Sequence, residues 1–468
     1  MYFERQTFLV AGLSRSGTAA AEYLLLNGAK VYVFDDVEDA NVAEARAALT
    51  QKGCIGIRRE ELSEAVELCD ILVLSPGIPV DHPLPVAFKK AGKRIVGESE
   101  LGAVALKCPV VAVTGTNGKT TTVTMLESIL RTAGKNAVAC GNVGKPITSC
   151  IKSLGEDGVA VAEISSFQLE TLTSLRPHIA VVLNVTEDHL NRHYNMDNYV
   201  YLKSRLLKNS TESEYAVLNY DDEIVKGFAE KTKAKVVWFS IKQRVEGAYL
   251  SDGWLCYNGE RILSWEEVPV DGLHNAANAL AALASARLMG AGNASIIAAL
   301  KSFKGVRHRL EKIGQCGGVT FIDDSKATNV DSAVKALGSI KGETVLLLGG
   351  KDKGYSYEPL FDAMRNSSVV HAVLYGENAF RILDAALKKG FTQVTLCRPF
   401  PLAVRVAYLT AKRGQNVLLS PASASFDAFK NYEERGDRFR EVFETLLKEN
   451  EAAESTPPTG DFSEETSE

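Results

Sequence analysis

The sequence has few of the features that mark secreted, membrane-bound or nucleic-acid-binding proteins. Its eight cysteines are scattered and none forms a C-x-x-C pair, so nothing indicates a disulfide framework or a zinc site. No apolar run is long enough to span a bilayer. Positive charge is not in excess, because the net charge at pH 7 is −5, which argues against nucleic acid as the main partner. We expect a cytoplasmic protein that works without a membrane.

Apolar strand-like runs alternate with helical stretches along almost the whole chain. This pattern predicts an α/β protein with parallel sheets, and 468 residues suffice for about three domains. We predict a Rossmann-like N-terminal domain, a central P-loop ATPase-type domain and a C-terminal Rossmann-like domain, with the bounds 1–107, 108–304 and 305–450. Residues 451–468 are polar, acidic and proline-containing, so we expect a disordered tail there.

The most informative stretch is VVAVTGTNGKTTT, from Val110 to Thr122. Its apolar run predicts a buried strand, and the segment from Thr120 onward predicts a helix. The glycine-rich loop between them would hold a phosphate with backbone N–H groups and the positive end of the helix. Lys119 would reach the outer phosphates, and the Thr120 hydroxyl would bind Mg²⁺. The loop is a variant of G-x-x-x-x-G-K-[ST], because Val113 stands at the first glycine position, and ATP is the expected phosphate donor.

Polar residues follow two later strands of the same segment. Glu163 ends the apolar run GVAVAE, and an acid at a strand end near a phosphate loop suits Mg²⁺, which prefers carboxylates, phosphate and water. His189 stands in NVTEDHL, directly after the run IAVVLNV. A lone histidine is more often structural than catalytic, but the polar cluster around His189 favours a site. His193 follows closely, and we assign it no role.

The first segment carries a second candidate ligand site. Gly12 and Gly17 in GLSRSG, with Asp35 at the end of the next strand, resemble half of a dinucleotide-binding domain. The match is incomplete because Ser14 occupies the second glycine position, and a uridine diphosphate sugar would fit equally well. Ser75, in SPGIP after the strand DILVL, adds a hydroxyl at the edge where ligands bind in open α/β sheets.

The third segment repeats the pattern of apolar strands that run into polar or glycine-rich loops. These stretches are VTFIDDSKATN, TVLLLGGKDKG, AVLYGEN and NVLLSPASASFDAF. Loops of this kind gather at one edge of a doubly wound sheet. We therefore predict another doubly wound sheet with a ligand-binding edge.

In their order along the chain, TGTNGKT, AEISSFQLE, NVTEDHL, HN-x-x-N, HRLE and DDSKATN resemble the Mur ligases. The resemblance covers the chain up to its tail, and GLSRSG and SPASASFDAFKNYEERGDRF look most like the member that adds D-glutamate. It implies a monomeric enzyme that uses ATP and two Mg²⁺ ions to join UDP-N-acetylmuramoyl-L-alanine to D-glutamate through an acyl phosphate. The first domain would bind the UDP substrate, the central domain ATP, and the third domain both the amino acid and ATP.

The resemblance also implies roles for individual residues. Thr120 and Glu163 would hold one Mg²⁺, and His189 with a carbamylated Lys203 would hold the second, with Lys119 as a third catalytic residue. Its local sequence alone would make Lys203 an exposed helical lysine, and nearby Lys208 stays an alternative. The expected ATP-binding residues are Gly115, Thr116, Asn117, Gly118, Lys119, Thr120, Thr121, Asn278, Arg309 and Asp324. Those expected to bind the UDP substrate are Ser14, Arg15, Ser16, Asp35, Ser75 and Asn142.

D-Glutamate carries two carboxylates, so its pocket needs cations and hydroxyl groups. The resemblance implies a pocket formed by Lys326, Thr328, Lys353, Ser425, Phe426 and Tyr432. The loop LGGKDKG holds Lys351 as well as Lys353. We choose Lys353, and Lys351 stays open as the donor.

Three other interpretations compete with this one. A ligase like folylpolyglutamate synthase shares the central motifs and would act on a pterin, but the first domain and the late serine-rich motif separate this chain from it. A nicotinamide-dependent oxidoreductase would leave the phosphate loop and DDSKATN without a purpose. A nucleotide-gated binding protein would bind ATP without substrate-dependent release of phosphate.

Overall fold

A computed structural model of the protein describes residues 3–270, 272–352, 354 and 356–455. The chain divides into two compact units, Met1–Phe303 and Lys304–Glu468. The first unit contains two sheets and the second unit contains one, each built mainly from parallel strands connected by helices. The α/β class predicted from the sequence is therefore confirmed.

All strands of the first sheet are parallel, and the chain adds strands on both sides of the middle one. With its helices it comprises β1 (Thr7–Ala11), α1 (Arg15–Leu26), β2 (Lys30–Phe34), α2 (Ala40–Gln51), β3 (Ile55–Gly56), α3 (Leu62–Leu68), β4 (Ile71–Leu74), α4 (Pro83–Lys90), β5 (Arg94–Gly97) and α5 (Glu98–Ala105). The strand order is β3-β2-β1-β4-β5. Because the chain winds in opposite directions from β1, a crevice forms where β1 and β4 end, and Gly12 and Ser75 follow those strands.

The central sheet places three strand ends side by side. Its elements are β6 (Val110–Thr114), α6 (Lys119–Thr132), β7 (Ala137–Gly141), α7 (Ile147–Leu154), β8 (Val159–Glu163), α8 (Ser166–Thr171), β9 (Ile179–Val182), α9 (Leu190–His193), α10 (Met196–Ser204), β10 (Tyr215–Asn219), α11 (Glu223–Lys226), β11 (Lys235–Ser240), β12 (Gly247–Ser251), β13 (Trp254–Tyr257), β14 (Glu260–Ser264), α12 (Leu273–Leu288) and α13 (Asn293–Lys301). The order is β14-β13-β12-β11-β10-β9-β6-β8-β7, and only the β12–β13 and β13–β14 pairs are antiparallel. Since β6 lies between β8 and β9, the loops after these three strands meet at one edge.

The sheet of the second unit follows the same plan. Its elements are β15 (Glu311–Cys316), β16 (Val319–Asp323), α14 (Val330–Leu337), β17 (Thr344–Gly349), α15 (Glu358–Met364), β18 (Val369–Tyr375), α16 (Ala379–Lys388), β19 (Val394–Leu396), α17 (Phe400–Thr410), β20 (Asn416–Leu419) and α18 (Tyr432–Ser455). The order is β15-β16-β20-β17-β18-β19, with β15 antiparallel to β16. The loops after β16, β20 and β17 therefore lie next to one another.

The packed core of the first unit supports the phosphate loop. Every residue of β6, β8 and β9 is buried, as expected for parallel strands covered on both faces. The helix α12 packs against α6, and its alanine-rich sequence LHNAANALAALASARL lets the two backbones approach closely. This packing brings the polar start of α12 to the phosphate loop.

The carboxyl-terminal helix extends past residue 450, where we expected the tail to begin. Residues 451–455 continue α18, and the alanine and glutamate in that stretch favour helix. The rest of the expected tail, residues 456–468, lies outside the described residues. The domain bounds given above stay a prediction. In the part of the chain that the structure describes, no helix has the length and apolar character needed to cross a bilayer.

Candidate active site

The phosphate loop joins β6 to α6. Gly118 has a φ of 85°, and a Cβ atom there would lie 2.1 Å from Oδ1 of Asn278, so the position requires glycine. The side chain of Lys119 folds back, and its Nζ donates to the carbonyl oxygens of Gly115 and Thr116, both at 2.9 Å. The positive end of α6 and the ammonium group of Lys119 thus lie at the same loop, which suits an anionic ligand.

Thr120 and Glu163 meet beside this loop. Oγ1 of Thr120 donates to Oε2 of Glu163 at 2.8 Å, and Nδ2 of Asn142 donates to Oε1 of Glu163 at 2.8 Å. Thr120, the neighbouring Thr121 and Glu163 are all buried. Hydroxyl and carboxylate oxygens are the hard ligands that Mg²⁺ prefers, so these residues fit that ion.

Lys203 is buried rather than exposed, and only 1% of its surface is accessible. Its Nζ donates to the carbonyl oxygen of Gly115 at 2.8 Å and lies 4.6 Å from the centre of the Tyr199 ring. Burial, and after it the charge of Lys119, holds the pKa of Lys203 well below its usual range. Both effects favour the neutral form of the amine over the charged form. Lys208 is exposed.

His189 lies at the start of α9 with a φ of 55°, and 44% of its side chain is exposed. The centre of its ring is 4.8 Å from that of Phe167. Phe167 also lies 5.5 Å from His193, and His193 stacks on Tyr199 at 5.4 Å. A row of rings therefore connects His189 to Tyr199, the residue over which Lys203 lies.

His193 is a central residue of the site that sequence analysis left without a role. It is buried, its Nε2 lies 3.0 Å from Oγ of Ser166, and its Nδ1 lies 3.4 Å from Oε1 of Glu170. Burial lowers the pKa of His193 to about 4, so the ring is neutral at pH 7. No local pattern marks this residue, because its burial arises from contacts with α8 and with Tyr199.

The other expected nucleotide ligands of the first unit also gather at the phosphate loop. Oγ1 of Thr116 donates to the carbonyl oxygen of Thr186 at 3.1 Å, and the N–H of Asn117 donates to Oδ1 of Asn184 at 2.8 Å. Asn278 lies against Gly118, as described above. The loops after β6 and β9 and the start of α12 thus form one polar edge.

The residues expected to bind the UDP substrate fall into two groups. The first group lies at the ends of strands. Oδ2 of Asp35 accepts from the N–H of Leu13 at 2.7 Å, and Oγ of Ser75 donates to the carbonyl oxygen of Gly12 at 3.0 Å. A Cβ atom at Gly12 would lie 2.6 Å from that of Ser75. The structure therefore brings Asp35 and Ser75 together around the turn after β1.

The second group lies at the start of α1. Ser14 and Arg15 are exposed and Ser16 is half-buried. The guanidinium of Arg15 donates to the carbonyl oxygen of Gly144, in the same loop as Asn142. Arg15 thus connects the first sheet to the loop that carries Asn142, although no sequence pattern requires an arginine there.

In the second unit, Asp324 lies at the end of β16. Oγ of Ser420 donates to Oδ2 of Asp324 at 2.8 Å, and the N–H of Leu310 donates to Oδ1 at 3.2 Å. Burial raises the pKa of Asp324 to about 7, against the smaller opposing effects of the Ser420 hydrogen bond and of Arg309. The protonated carboxyl group is therefore well populated near neutral pH.

A buried arginine that sequence analysis did not select joins the loops that carry residues expected at the amino-acid pocket. Arg435 is fully buried and donates to the carbonyl oxygens of Ser325 at 2.8 Å and Ser423 at 3.0 Å. Oγ of Ser325 donates to the carbonyl oxygen of Tyr432 at 2.7 Å, and Nζ of Lys326 lies 5.8 Å from the Tyr432 ring centre. The loops after β16 and β20 and the start of α18 thus form one cluster.

The remaining residues expected at this pocket, and Arg309, which is expected to bind ATP, differ in exposure. Ser425 is buried, Thr328 and Arg309 are half-buried, and Phe426 is 63% exposed. Lys353 lies outside the described residues. Nζ of Lys351 donates to Oε2 of Glu377 at 2.7 Å, so the choice between the two lysines stays open.

Three profiles of one protein family match most of the chain. They are the Mur ligase MurD-like N-terminal domain at residues 6–97, the Mur ligase middle domain at 113–286 and the Mur ligase glutamate ligase domain at 308–423. The chain belongs to the Mur ligase family and is an ATP-dependent ligase that forms amide bonds.

Individual relatives agree with this assignment. The UDP-N-acetylmuramoylalanine–D-glutamate ligase of Pelotomaculum thermopropionicum is 40% identical over 458 residues, covering 95% of this chain and 99% of that protein. The protein of the same name from Streptococcus mutans is 38% identical over 452 residues, covering 96% and 99%. The structure of the UDP-N-acetylmuramate-alanine ligase MurC from Thermotoga maritima matches with a TM-score of 0.59 and 20% identity, covering 94% of this chain and 99% of that one. This last likeness shows a shared fold.

Proposed function

We propose that the chain joins the amino group of D-glutamate to the carboxylate of UDP-N-acetylmuramoyl-L-alanine, converting ATP to ADP and phosphate. The observation that carries the proposal is one centre that combines the phosphate loop, the Thr120–Glu163 pair and the buried Lys203. The same name, UDP-N-acetylmuramoylalanine–D-glutamate ligase, belongs to near full-length relatives at 38–40% identity. The reaction would serve cytoplasmic synthesis of peptidoglycan precursors, and through it cell-wall formation, cell shape and cell division.

The chemistry explains why a ligase of this kind needs a phosphate loop. A free carboxylate is a poor electrophile, so one of its oxygens first attacks the γ-phosphorus of ATP, and ADP leaves. The amine of D-glutamate then attacks the carbonyl carbon of the acyl phosphate. Phosphate leaves with the oxygen that came from the carboxylate, and the nitrogen loses a proton as the amide forms. Negative charge accumulates throughout, so fixed positive charge lowers the barrier.

Residues of the central domain would supply that charge. Lys119, held over the loop by the carbonyl oxygens of Gly115 and Thr116, would bind the outer phosphates. Thr120 and Glu163 would hold one Mg²⁺, and His189 with Lys203 would hold the second. Bound Mg²⁺ neutralises phosphate charge as a Lewis acid.

Lys203 would act as a carbamate. Its neutral amine adds to the carbon of CO₂ and loses a proton, which converts a potential cation into an anion with two oxygen atoms. The burial of Lys203 and its lowered pKa support this step, because both favour the neutral amine. The nearby phosphate loop supports it too, since an anionic oxygen ligand for a metal would lie beside the phosphates.

The substrates would occupy the flanking loops. Ser14, Arg15, Ser16, Asp35, Ser75 and Asn142 would bind the UDP substrate. D-Glutamate would be bound by Lys326, Thr328, Ser425, Phe426 and Tyr432, with Lys353 or Lys351. We further propose that the enzyme acts as a monomer.

Release of phosphate from ATP tests the proposal. The purified chain is given Mg²⁺, ATP and UDP-N-acetylmuramoyl-L-alanine, and then D-glutamate, L-glutamate, L-lysine or meso-diaminopimelate in separate reactions. We expect release only with D-glutamate. Release with another amine alone would overturn the assigned acceptor, and ATP binding without release in any reaction would overturn the ligase function. A pterin acceptor in place of the UDP substrate serves as the negative control.

A further inference from the structure

Arg192 forms an ion pair with Glu170 near the expected metal ligands. Its Nη2 donates to Oε2 of Glu170 at 2.6 Å and its Nε donates to Oε1 at 3.0 Å. Only 12% of the Arg192 side chain and 8% of the Glu170 side chain are exposed. Two hydrogen bonds between a planar guanidinium and a carboxylate fix the relative orientation of both groups.

The same guanidinium also reaches the first sheet. Nη2 of Arg192 donates to the carbonyl oxygens of Ile78 at 3.0 Å and Pro76 at 3.4 Å, and Nη1 donates to that of Gly77 at 3.4 Å. These residues belong to the loop after β4, here called the substrate loop, residues 75–79. The loop begins with Ser75, the residue bonded to the turn after β1.

Arg192 and Glu170 are close in sequence to the expected metal ligands. Arg192 is on α9, which directly follows His189, and Glu170 is on α8, which begins shortly after Glu163. The helix α9 is flanked by two non-glycine residues with positive φ, His189 at 55° and Tyr194 at 69°. Such conformations cost free energy and persist where surrounding contacts determine them. The contacts of Arg192 are of that kind.

We propose that Arg192 is a positioning residue. It fixes the substrate loop relative to the loops after β8 and β9, which carry the expected metal ligands Glu163 and His189. The inference rests on the proposed function, in which the carboxylate of the UDP substrate must reach the phosphate held beside Thr120 and Glu163. Arginine suits this role because its rigid fork of five N–H donors serves a carboxylate and three carbonyl groups at once. Lysine keeps the charge but has one nitrogen atom, so it cannot span both partners.

The test is steady-state kinetics of Arg192→Lys with each substrate varied in turn. We expect the KM for the UDP substrate to rise about tenfold, as expected when charged hydrogen bonds that shape its loop are lost. We expect kcat to fall roughly 10- to 100-fold because the reacting carboxylate is misplaced. We expect the KM for ATP to stay within about twofold of the wild-type value. The hydrogen bonds described for the Arg192 side chain do not reach the phosphate loop.

Arg205→Lys is the matched control. Arg205 is also partly buried and donates to the carbonyl oxygens of Glu170 at 3.1 Å and Leu172 at 2.8 Å. It therefore supports the end of α8, and its described hydrogen bonds do not reach the substrate loop. We expect all KM values of Arg205→Lys to match those of the wild type.

The outcomes separate this inference from the proposed function. A wild type that is inactive with the UDP substrate and D-glutamate overturns the function and this inference together. An active wild type whose Arg192→Lys variant has an unchanged KM for the UDP substrate overturns the inference alone. If Arg192→Lys fails to fold, Glu170→Gln replaces it and should raise the same KM. If neither variant folds, Arg192 is a structural residue and the inference is wrong.

Discussion

Nζ of Lys203 donates a hydrogen bond to the carbonyl oxygen of Gly115 at 2.8 Å, which ties the helix α10 to the phosphate loop. A charged amine is disfavoured at this place, since burial and the nearby Lys119 both lower the pKa of Lys203. The contact places an amine whose neutral form is favoured beside the loop that would hold ATP. Carbamylation, as proposed above, would turn this amine into a metal ligand.

Lys203→Ala should therefore lose activity on the order of 100-fold or more, the scale of losing one preorganised electrostatic group. Acetate or another short-chain carboxylic acid should restore part of the activity, because its oxygens replace those of the carbamate. The measurement is phosphate release across a series of carboxylate concentrations.

Lys208→Ala is the control for this variant, because Lys208 is exposed and was the alternative assignment from the sequence. It should retain wild-type activity and show no response to carboxylates. Full activity of unrescued Lys203→Ala would contradict the role given to Lys203.

Glu163→Gln should raise the Mg²⁺ concentration that gives half-maximal activity by about tenfold or more, because one of the few protein carboxylates beside the phosphates is lost. Glutamine keeps the shape and can still accept from Thr120. Glu156→Gln is the control, since Glu156 pairs with Lys107 and 72% of its side chain is exposed. An unchanged Mg²⁺ dependence of Glu163→Gln would remove Glu163 from the metal site.

Gly118→Ala should abolish binding of an ATP analogue, because the added methyl group would displace Asn278 from the loop. Gly134→Ala is a close control: Gly134 has a φ of 79°, near the 85° of Gly118, but no atom lies within 4 Å of its would-be Cβ. Both variants should lose roughly 1–2 kcal/mol of stability from the left-handed backbone. Calorimetric titration should show normal nucleotide binding for Gly134→Ala only, and normal binding by both would contradict the account of the loop.

Asp324→Asn should change how the stability of the second unit depends on pH. Burial raises the pKa of Asp324 from 3.8 to about 7, so the folded state holds this proton over a range where the unfolded state has lost it. The contribution to stability is fully present below pH 3.8 and is lost as the pH rises to about 7. Between pH 5 and pH 8 the wild type should lose about 3 kcal/mol that the variant does not lose.

Thermal unfolding of both proteins without nucleotide measures this difference. Asp384→Asn is the control, because Asp384 pairs with Lys388 at the surface and 64% of its side chain is exposed. Parallel pH profiles for the wild type and Asp324→Asn would show that Asp324 is ionised in the folded state at pH 5.

The sequence predicted the positions of Lys119 and Glu163 in the fold, because these positions depend on local order along the chain, and their roles stay predictions. A strand, a glycine-rich loop and a helix follow one another around Lys119, and an apolar run ends at Glu163. Both residues could therefore be placed near the ends of strands from the sequence alone. The burial of Lys203 was not visible, because it depends on packing of α10 against a loop 88 positions away.

Arg192 and Arg435 were missed for the same physical reason. The partners of Arg192 in the substrate loop lie 114 to 116 positions earlier in the chain, and Ser325, a partner of Arg435, lies 110 positions earlier. Neither arginine stands in a local pattern that differs from an exposed helical residue. The two arginine side chains reach the loops at the strand ends only when the sheets have folded.

The most direct test of the central claim follows an oxygen atom from the substrate to phosphate. UDP-N-acetylmuramoyl-L-alanine labelled with ¹⁸O in its carboxylate is converted with ATP, Mg²⁺ and D-glutamate, and the released phosphate is analysed by mass spectrometry. The account predicts one ¹⁸O atom in each phosphate formed and the other in the amide. Unlabelled phosphate would mean that water, rather than the substrate carboxylate, attacks ATP, and would contradict the acyl-phosphate mechanism.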